Sequence, residues 1–195
     1  MKRPAATAFS ANFIKINTRK LKLRIIIPKF GGLKTHAMQI RKAREKDIER
    51  INDLLYQVCM IHHNGRPDIF KAGARKYTDR QLAEILNDEK TPVLAAVDDN
   101  DTLIGYAFCI FEEVRDNNIL MDDKSLYIDD LCVDERYRGQ GVGRALYLAV
   151  KDFAAKNGCR NLTLNVWSCN ASALEFYKRC GFTPRKTVME QKLGL

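Results

Sequence analysis

The first 37 residues contain no aspartate and no glutamate. They hold nine basic residues: Lys2, Arg3, Lys15, Arg19, Lys20, Lys22, Arg24, Lys29 and Lys34. The chain has 33 basic and 24 acidic residues, so setting those nine aside leaves 24 against 24 in residues 38–195. The net charge of +9 therefore belongs to the leader. The remainder has no global basic footprint, and nucleic acid is not an expected partner for it. No apolar run approaches the length of a membrane helix. Ile25–Ile27 is too short for the apolar core of a secretory signal. No C-x-x-C pair occurs among Cys59, Cys109, Cys132, Cys159, Cys169 and Cys180. Reduced, buried thiols in a cytoplasmic protein are the expectation. Histidines number three. Adjacent side chains such as His62 and His63 diverge in most backbones, so with Asp68 they are read as surface or acceptor-site groups and no metal is expected.

What remains has the composition of an ordinary globule, 46% hydrophobic and 29% charged. One domain is expected over residues 38–195. Residues 1–37 are read as a disordered or dispensable basic leader, compatible with a transit peptide, an RNA-docking tail or an upstream extension before Met38. A short helix or strand around Leu21–Ile27 fits the pattern but finds no place.

From Met38 the periodicities are regular. Met38–Ala43 reads as a strand. Ile48, Ile51, Leu54, Leu55 and Val58 follow helical spacing after Asp47. His62–Asp68 reads as a polar loop and Thr78–Asn87 as a second helix. Pro92–Val97 and Leu103–Phe111 read as strands joined at Asp98–Asp101, a solvated turn that lacks the Gly and terminal Glu of a calcium loop. After a connection at Asn117-Asn118, Leu126–Val133 reads as a central strand covered on both faces. Asp129 and Asp130 inside it need partners, water or a function. Neighbours on a strand point to opposite faces, so the two are expected to do different jobs. Leu162–Val166 alternates as a further strand, and Thr183–Leu193 reads as a closing hairpin broken near Pro184.

The organising stretch is Val133–Arg144, V-D-E-R-Y-R-G-Q-G-V-G-R. A strand precedes it. Val142, Leu146, Ala149, Val150 and Phe153 continue it as a helix. Gly139, Gly141 and Gly143 let backbone approach a ligand, and the helix start adds unpaired N–H groups and a positive dipole end. Such a turn favours a phosphate, with Arg138 and Arg144 as flanking cations. A Walker loop is excluded because Arg144-Ala145 stands where Lys and Ser or Thr are needed. A dinucleotide fingerprint fails at its last glycine and lacks the following acid. The pattern R-x-x-G-x-G is met in full by Arg138, Gly141 and Gly143. Downstream, Asn170-Ala-Ser-Ala173-Leu-Glu-Phe-Tyr177-Lys-Arg-Cys-Gly181-Phe182 supplies an N-cap, a two-turn helix and a glycine stop.

Both motifs, in this order and spacing, resemble the GNAT-type N-acetyltransferases, whose signatures are R-x-x-G-x-G and N-x-x-A-x-x-x-Y-x-x-x-G-F. The stretch Ile128-Asp-Asp-Leu-Cys-Val133 with Tyr137-Arg-Gly-Gln-Gly-Val-Gly143 is similar to spermidine/spermine-type members. The resemblance covers Met38–Leu193 and is strongest over Leu126–Phe182. It implies an α/β (α+β) fold: a mixed, mostly antiparallel sheet of six to seven strands, about four helices, and central strands splayed around acetyl-CoA. It implies acetyl-CoA as donor, held by the backbone of Leu131, Cys132 and Val133, by the turn Arg138, Gly139, Gln140, Gly141, Val142, Gly143 and Arg144, and by Asn170 and Tyr177. Tyr177 is the implied proton donor to the departing thiolate. Asp129 is the implied base, directly or through water. Asp130, His63 and Asp68 are candidate acceptor contacts.

A direct attack by a primary amine is expected. The rival is a Cys132 or Cys169 nucleophile served by His62 or His63. For the acceptor, the acids around Asp129 favour a small amine or polyamine over a protein N-terminus or lysine, as on ribosomal proteins, and an intact Tyr177 argues against an acetyl-CoA-binding regulator. Oligomeric state stays open, a homodimer included.

Overall fold

The computed structural model describes residues 16–17, 22–26 and 37–194. Seven strands form one sheet in chain order. They are β1 (Ile16–Asn17), β2 (Lys22–Ile26), β3 (Ala37–Lys42), β4 (Val93–Val97), β5 (Leu103–Val114), β6 (Asp123–Val133) and β7 (Asn161–Leu164). Every neighbouring pair is antiparallel except the last, where β7 runs parallel to β6. A parallel partner requires a crossover; here helix α3 (Val142–Lys156) supplies it.

Two layers of helix cover the sheet. Ile51, Leu54 and Leu55 of α1 (Ile48–Gly65) and Leu82 of α2 (Asp79–Asn87) bury against Val93, Ala95, Tyr106, Phe108 and Cys132. On the other face, Val142, Leu146, Val150 and Phe153 of α3 bury against Met38, Ile40, Ala107, Leu126 and Ile128. Each such side chain contributes about 1.5–3 kcal/mol when fully buried. α2 starts on a reciprocal cap: Thr78 Oγ1 accepts from the Gln81 N–H at 3.2 Å and Gln81 Oε1 from the Thr78 N–H at 2.8 Å. The last helix, α4 (Ala171–Arg179), starts where Asn170 Oδ1 accepts from the Ala173 N–H. It stops at Gly181, whose φ is +93°.

Three expectations change. Strand β2 is hydrogen-bonded to β3 through Leu23↔Ile40, Arg24↔Gln39, Ile25↔Met38 and Ile26↔Ala37. The leader, expected to be disordered or dispensable apart from an unplaced short helix or strand around Leu21–Ile27, contributes β1 and β2, and the sheet begins before Met38; the rest of residues 1–36 lies outside the described residues. Alternating Lys22-Leu-Arg-Ile-Ile26 has strand propensity, and pairing relieves β3 of an open edge. Second, α1 does not stop before the histidine pair but carries His62 and His63 in its last turn. Third, no closing hairpin forms. Residues 182–194 contain neither helix nor strand. Pro184 has no N–H for a ladder, and the tail is tied instead by ion pairs from Arg66 to Glu190 and from Lys192 to Asp68, each 2.9 Å.

The acidic turn between β4 and β5 has a structural task. Asp101, at φ +58°, accepts from buried Arg41 at 2.7 Å, and Arg41 also grips Asp47 at 2.6 and 2.9 Å. Lys46 joins Asp101 as well. Hydrogen bonds from Lys46 and Arg41 hold the Asp101 carboxyl down at about 2. The start of α1 is thereby locked to the sheet.

One glycine in the sheet is required by contact. A Cβ on Gly105 would lie 2.9 Å from the Cys132 carbonyl oxygen. That oxygen is backbone and cannot rotate away. Gly105→Ala is expected to destabilise the fold by about 1–3 kcal/mol, read as a lower urea midpoint at unchanged slope; an unchanged midpoint would mean that β6 yields at no cost.

Candidate active site

β6 and β7 pair only from Ser125↔Asn161 to Ile128↔Leu164. Beyond Ile128, β6 runs on to Val133 while β7 ends and the chain turns off towards α4. The sheet is therefore split along residues 129–133 of β6. The ladder decides what faces the split. The Asp134 N–H bonds the Ile104 carbonyl at 3.0 Å, and Val133 stands opposite Gly105. Antiparallel alternation then turns the N–H and C=O of Val133 and Leu131 away from β5, into the split. Cys132 turns its backbone to β5, and its thiol lies 3.7 Å from the Leu54 carbonyl. The split thus has free strand groups from Leu131 and Val133 but not from Cys132. Arg138 takes one of them, its Nε donating to the Val133 carbonyl at 3.1 Å.

The turn above the split is built on Asp134. Its carboxylate is fully buried. It accepts from the Arg136 N–H and from the guanidinium groups of Arg136 and Arg50 at 2.7 and 2.6 Å. Arg136 first, and also Arg50, hold it at about 2 against the cost of burial. Gly139 and Gly141 follow at φ +73° and +84°, a left-handed region that side chains resist. Gly141 is the N-cap of α3, buried Val142 anchors the first turn, and Gln140 Nε2 closes the loop onto the Arg136 carbonyl at 2.9 Å. Arg138 and Arg144 are exposed at its rim. Among the described residues the first N–H groups of α3 have no partner, so the site is shaped for an anion.

Gly143 faces α4 with room for a side chain. A Cβ there would stand 3.6 Å from both the Phe176 ring and Val133 Cγ2. Tyr177 packs edge-on between Phe176 and Phe182, with centroids 5.2 and 5.6 Å away. Its hydroxyl has no hydrogen-bond partner among the described residues. Burial first, and then the charge of Asp130, push the phenol well above its ordinary range. It stays protonated, as a proton donor must. Asn170 is occupied as the cap of α4.

The two aspartates do not point opposite ways. Phe108 pairs with Asp130 and Cys109 with Ile128, so Asp129 is the extra residue of a β-bulge. Leu126 and Ile128 face α3 before it; Leu131 and Val133 face α3 after it. The alternation slips by one, and both carboxylates meet the same cation. Lys76 Nζ lies 2.9 Å from Asp129 Oδ2 and also feels Asp130. Asp130 lies deeper and accepts from the Tyr106 hydroxyl at 3.1 Å. Burial, with Asp129 nearby, raises it to about 6, although Lys76 and Tyr106 pull it down.

The remaining candidates separate. His63 Nδ1 lies 2.8 Å from the Phe70 carbonyl, a structural bond. His62 sits in an aromatic group with Phe70 and Trp167, at 4.9 and 6.5 Å, and burial first, then Lys76, lowers its pKa. Asp68 pairs with Arg66 and Lys192, which hold it far below the carboxylate range and tie it to the tail rather than to the split. Burial pushes the Cys132 thiol to about 12, which removes it as a ready nucleophile. Lys76 and Tyr106 carry no sequence signal of their own. The bulge does: the apolar positions 126, 128, 131, 133 break period two at Asp129-Asp130.

A split sheet, an anion-ready helix start at its mouth, and a protonated phenol that feels the Asp130 carboxylate suit an acyl-transferring enzyme. The chain belongs to the acetyltransferase (GNAT) family, whose model matches residues 56–182, and it is an N-acetyltransferase. A bovine thialysine N-ε-acetyltransferase is 36% identical over 154 residues, which span 74% of this chain and 83% of that protein. The spermine/spermidine N(1)-acetyltransferase of Bacillus subtilis is 29% identical over 82 residues, 41% of this chain and 52% of that one. A Bacillus halodurans protein, solved as a tetramutant, superposes with a TM-score of 0.76 at 29% identity, covering 79% of this chain and 99% of that one. Among the described residues, no helix is long and apolar enough to cross a membrane.

Proposed function

We propose that the enzyme moves an acetyl group from acetyl-CoA to the primary amine of a small cationic acceptor, by direct attack. One observation carries the acceptor class: Asp129, beside the split, already holds a primary ammonium, that of Lys76, at 2.9 Å. Relatives named for thialysine and for polyamines fit the same chemistry.

The donor fits the groups described. Its pyrophosphate takes the N–H groups at Gly139–Arg144 with Arg138 and Arg144 as counter-ions. Its amide-bearing arm pairs with Leu131 and Val133 as an added strand, and the Val133 N–H polarises the thioester carbonyl. An acceptor amine with a pKa near ~10.4 must lose a proton before it attacks. The sequence assigned that step to Asp129 and left Asp130 beside it. The geometry supports the reverse. Asp129, more open, holds the ammonium; Asp130, poised at about 6 and near Tyr177, is the better base. Tyr177 then protonates the thiolate.

The test is CoA release by the full chain with acetyl-CoA and a panel of lysine-like amines, polyamines, aminoglycosides and peptides. Fast release with small cationic amines is expected. Release with peptides alone would transfer the reading to protein acetylation. Acetyl-CoA binding with no release anywhere would overturn it.

A further inference from the structure

Lys76 lies in the connection between α1 and α2, and its neighbours fix where it reaches. Tyr77 stacks on Phe108 at 6.0 Å with 24° between the rings. Arg75 pairs with Asp79 in the first turn of α2 at 2.6 Å, and Thr78 caps that helix. Held on both sides, Lys76 extends its ammonium onto Asp129. The other lysines with ion pairs among the described residues reach carboxylates elsewhere: Lys46 Asp101, Lys156 Asp152, Lys178 Glu175 and Lys192 Asp68. Lys76 alone among these puts its amine where an acceptor amine must lose its proton.

We propose that Lys76 is itself an acetyl acceptor, modified in cis by its own active site; this rests on the donor and acceptor assignments above. The balance needs nothing beyond acetyl-CoA. The ammonium gives a proton to the Asp130 carboxylate. The free amine forms an Nζ–carbonyl carbon bond as the thioester carbon–sulfur bond breaks. The thiolate takes the Tyr177 proton and leaves as CoA; the second proton on Nζ, released as the amide forms, restores the Tyr177 phenol through solvent, and Asp130 gives its proton to solvent. The product is a neutral amide that no longer pairs with Asp129, so each chain reacts once and then presents an uncompensated carboxylate to the next cation. Burial would lower the Lys76 pKa, but Asp130 and Asp129 outweigh it and raise it, so the step depends on the base, as it does for a free amine.

The full chain is incubated with acetyl-CoA and no amine, and site occupancy is followed by peptide mass spectrometry. Lys76 should gain one acetyl group per chain, at a rate unchanged by dilution. Lys76→Arg should lose the modification, and Tyr177→Phe should slow it in the same proportion as turnover of a small amine. An unmodified Lys76 while amines are turned over would overturn the inference and leave the enzyme reading standing. Lys76 acetylation no faster than at exposed Lys151 and Lys186, and undiminished in Tyr177→Phe, would also overturn it as plain chemical acylation. A rate proportional to protein concentration would overturn the cis claim. No release with any amine and no acetyl on Lys76 would overturn both readings.

Discussion

Asp130→Asn should remove most turnover while making the protein harder to unfold at neutral pH. The kinetic part follows from its place as base: losing a positioned base costs roughly 10²–10⁴-fold in rate. The stability part follows from linkage. The folded carboxyl titrates at about 6 rather than 3.8. A raised carboxyl favours folding only while protonated, so that contribution is complete below about pH 4 and is lost as pH rises through about 6. Above that pH the charged, part-buried carboxylate is a cost of about 2 kcal/mol after allowance for its remaining contact with water. Asparagine keeps an acceptor for the Tyr106 hydroxyl and never ionises. His62, lowered by burial, acts in the opposite sense in both proteins, so between pH 4 and pH 7 the urea midpoint of the natural chain should fall relative to that of the variant. Asp134 and Asp101, both held down at about 2, lose their contribution only at lower pH and do not enter this window. Full turnover in Asp130→Asn would return the base to Asp129.

Tyr177→Phe should lower kcat by roughly 10²-fold, the low end for a lost proton donor, with acetyl-CoA affinity nearly unchanged. The ring contacts with Phe176 and Phe182 do not need the hydroxyl. A phenol raised by burial and by Asp130 is neutral at working pH, so the variant removes a proton and no charge. The groups proposed for the donor, on Leu131, Val133 and the glycine turn, are untouched. An unaltered kcat would exclude the phenol as acid and point to solvent for the thiolate proton.

The motifs proposed for the donor were legible because they are local. Arg138, Gly141 and Gly143 sit within one turn, and Asn170, Tyr177 and Gly181 within one helix, so spacing alone reports them. The strands and helices from Met38 to Gly181 were readable for the same reason. The acceptor half depends on contacts across many residues. Lys76 meets Asp129 53 positions away, and Tyr106 meets Asp130 24 away. No periodicity carries such pairs. The facing of Asp129 and Asp130 was misjudged for a different reason: period-two alternation assumes an unbroken ladder, and the bulge breaks it. Edge and tail failed on tertiary grounds, since β2 needs β3 beside it, and Arg66 and Asp68 capture a tail whose pattern suits a hairpin.

The bulge also sets which genetic changes this strand can absorb. Loss of the codon for Asp129 would join Ile128↔Cys109 directly to Asp130↔Phe108 and leave Leu131 and Val133 facing α3 as before. Loss of a residue before it, in 124–128, would instead shift one part of the strand against the other and expose core side chains to water. Position 129 is thus where a deletion spares the core. A gene copy shortened there would encode a folded protein that keeps Asp130, Tyr177 and the glycine turn and lacks only the outer carboxylate that holds Lys76.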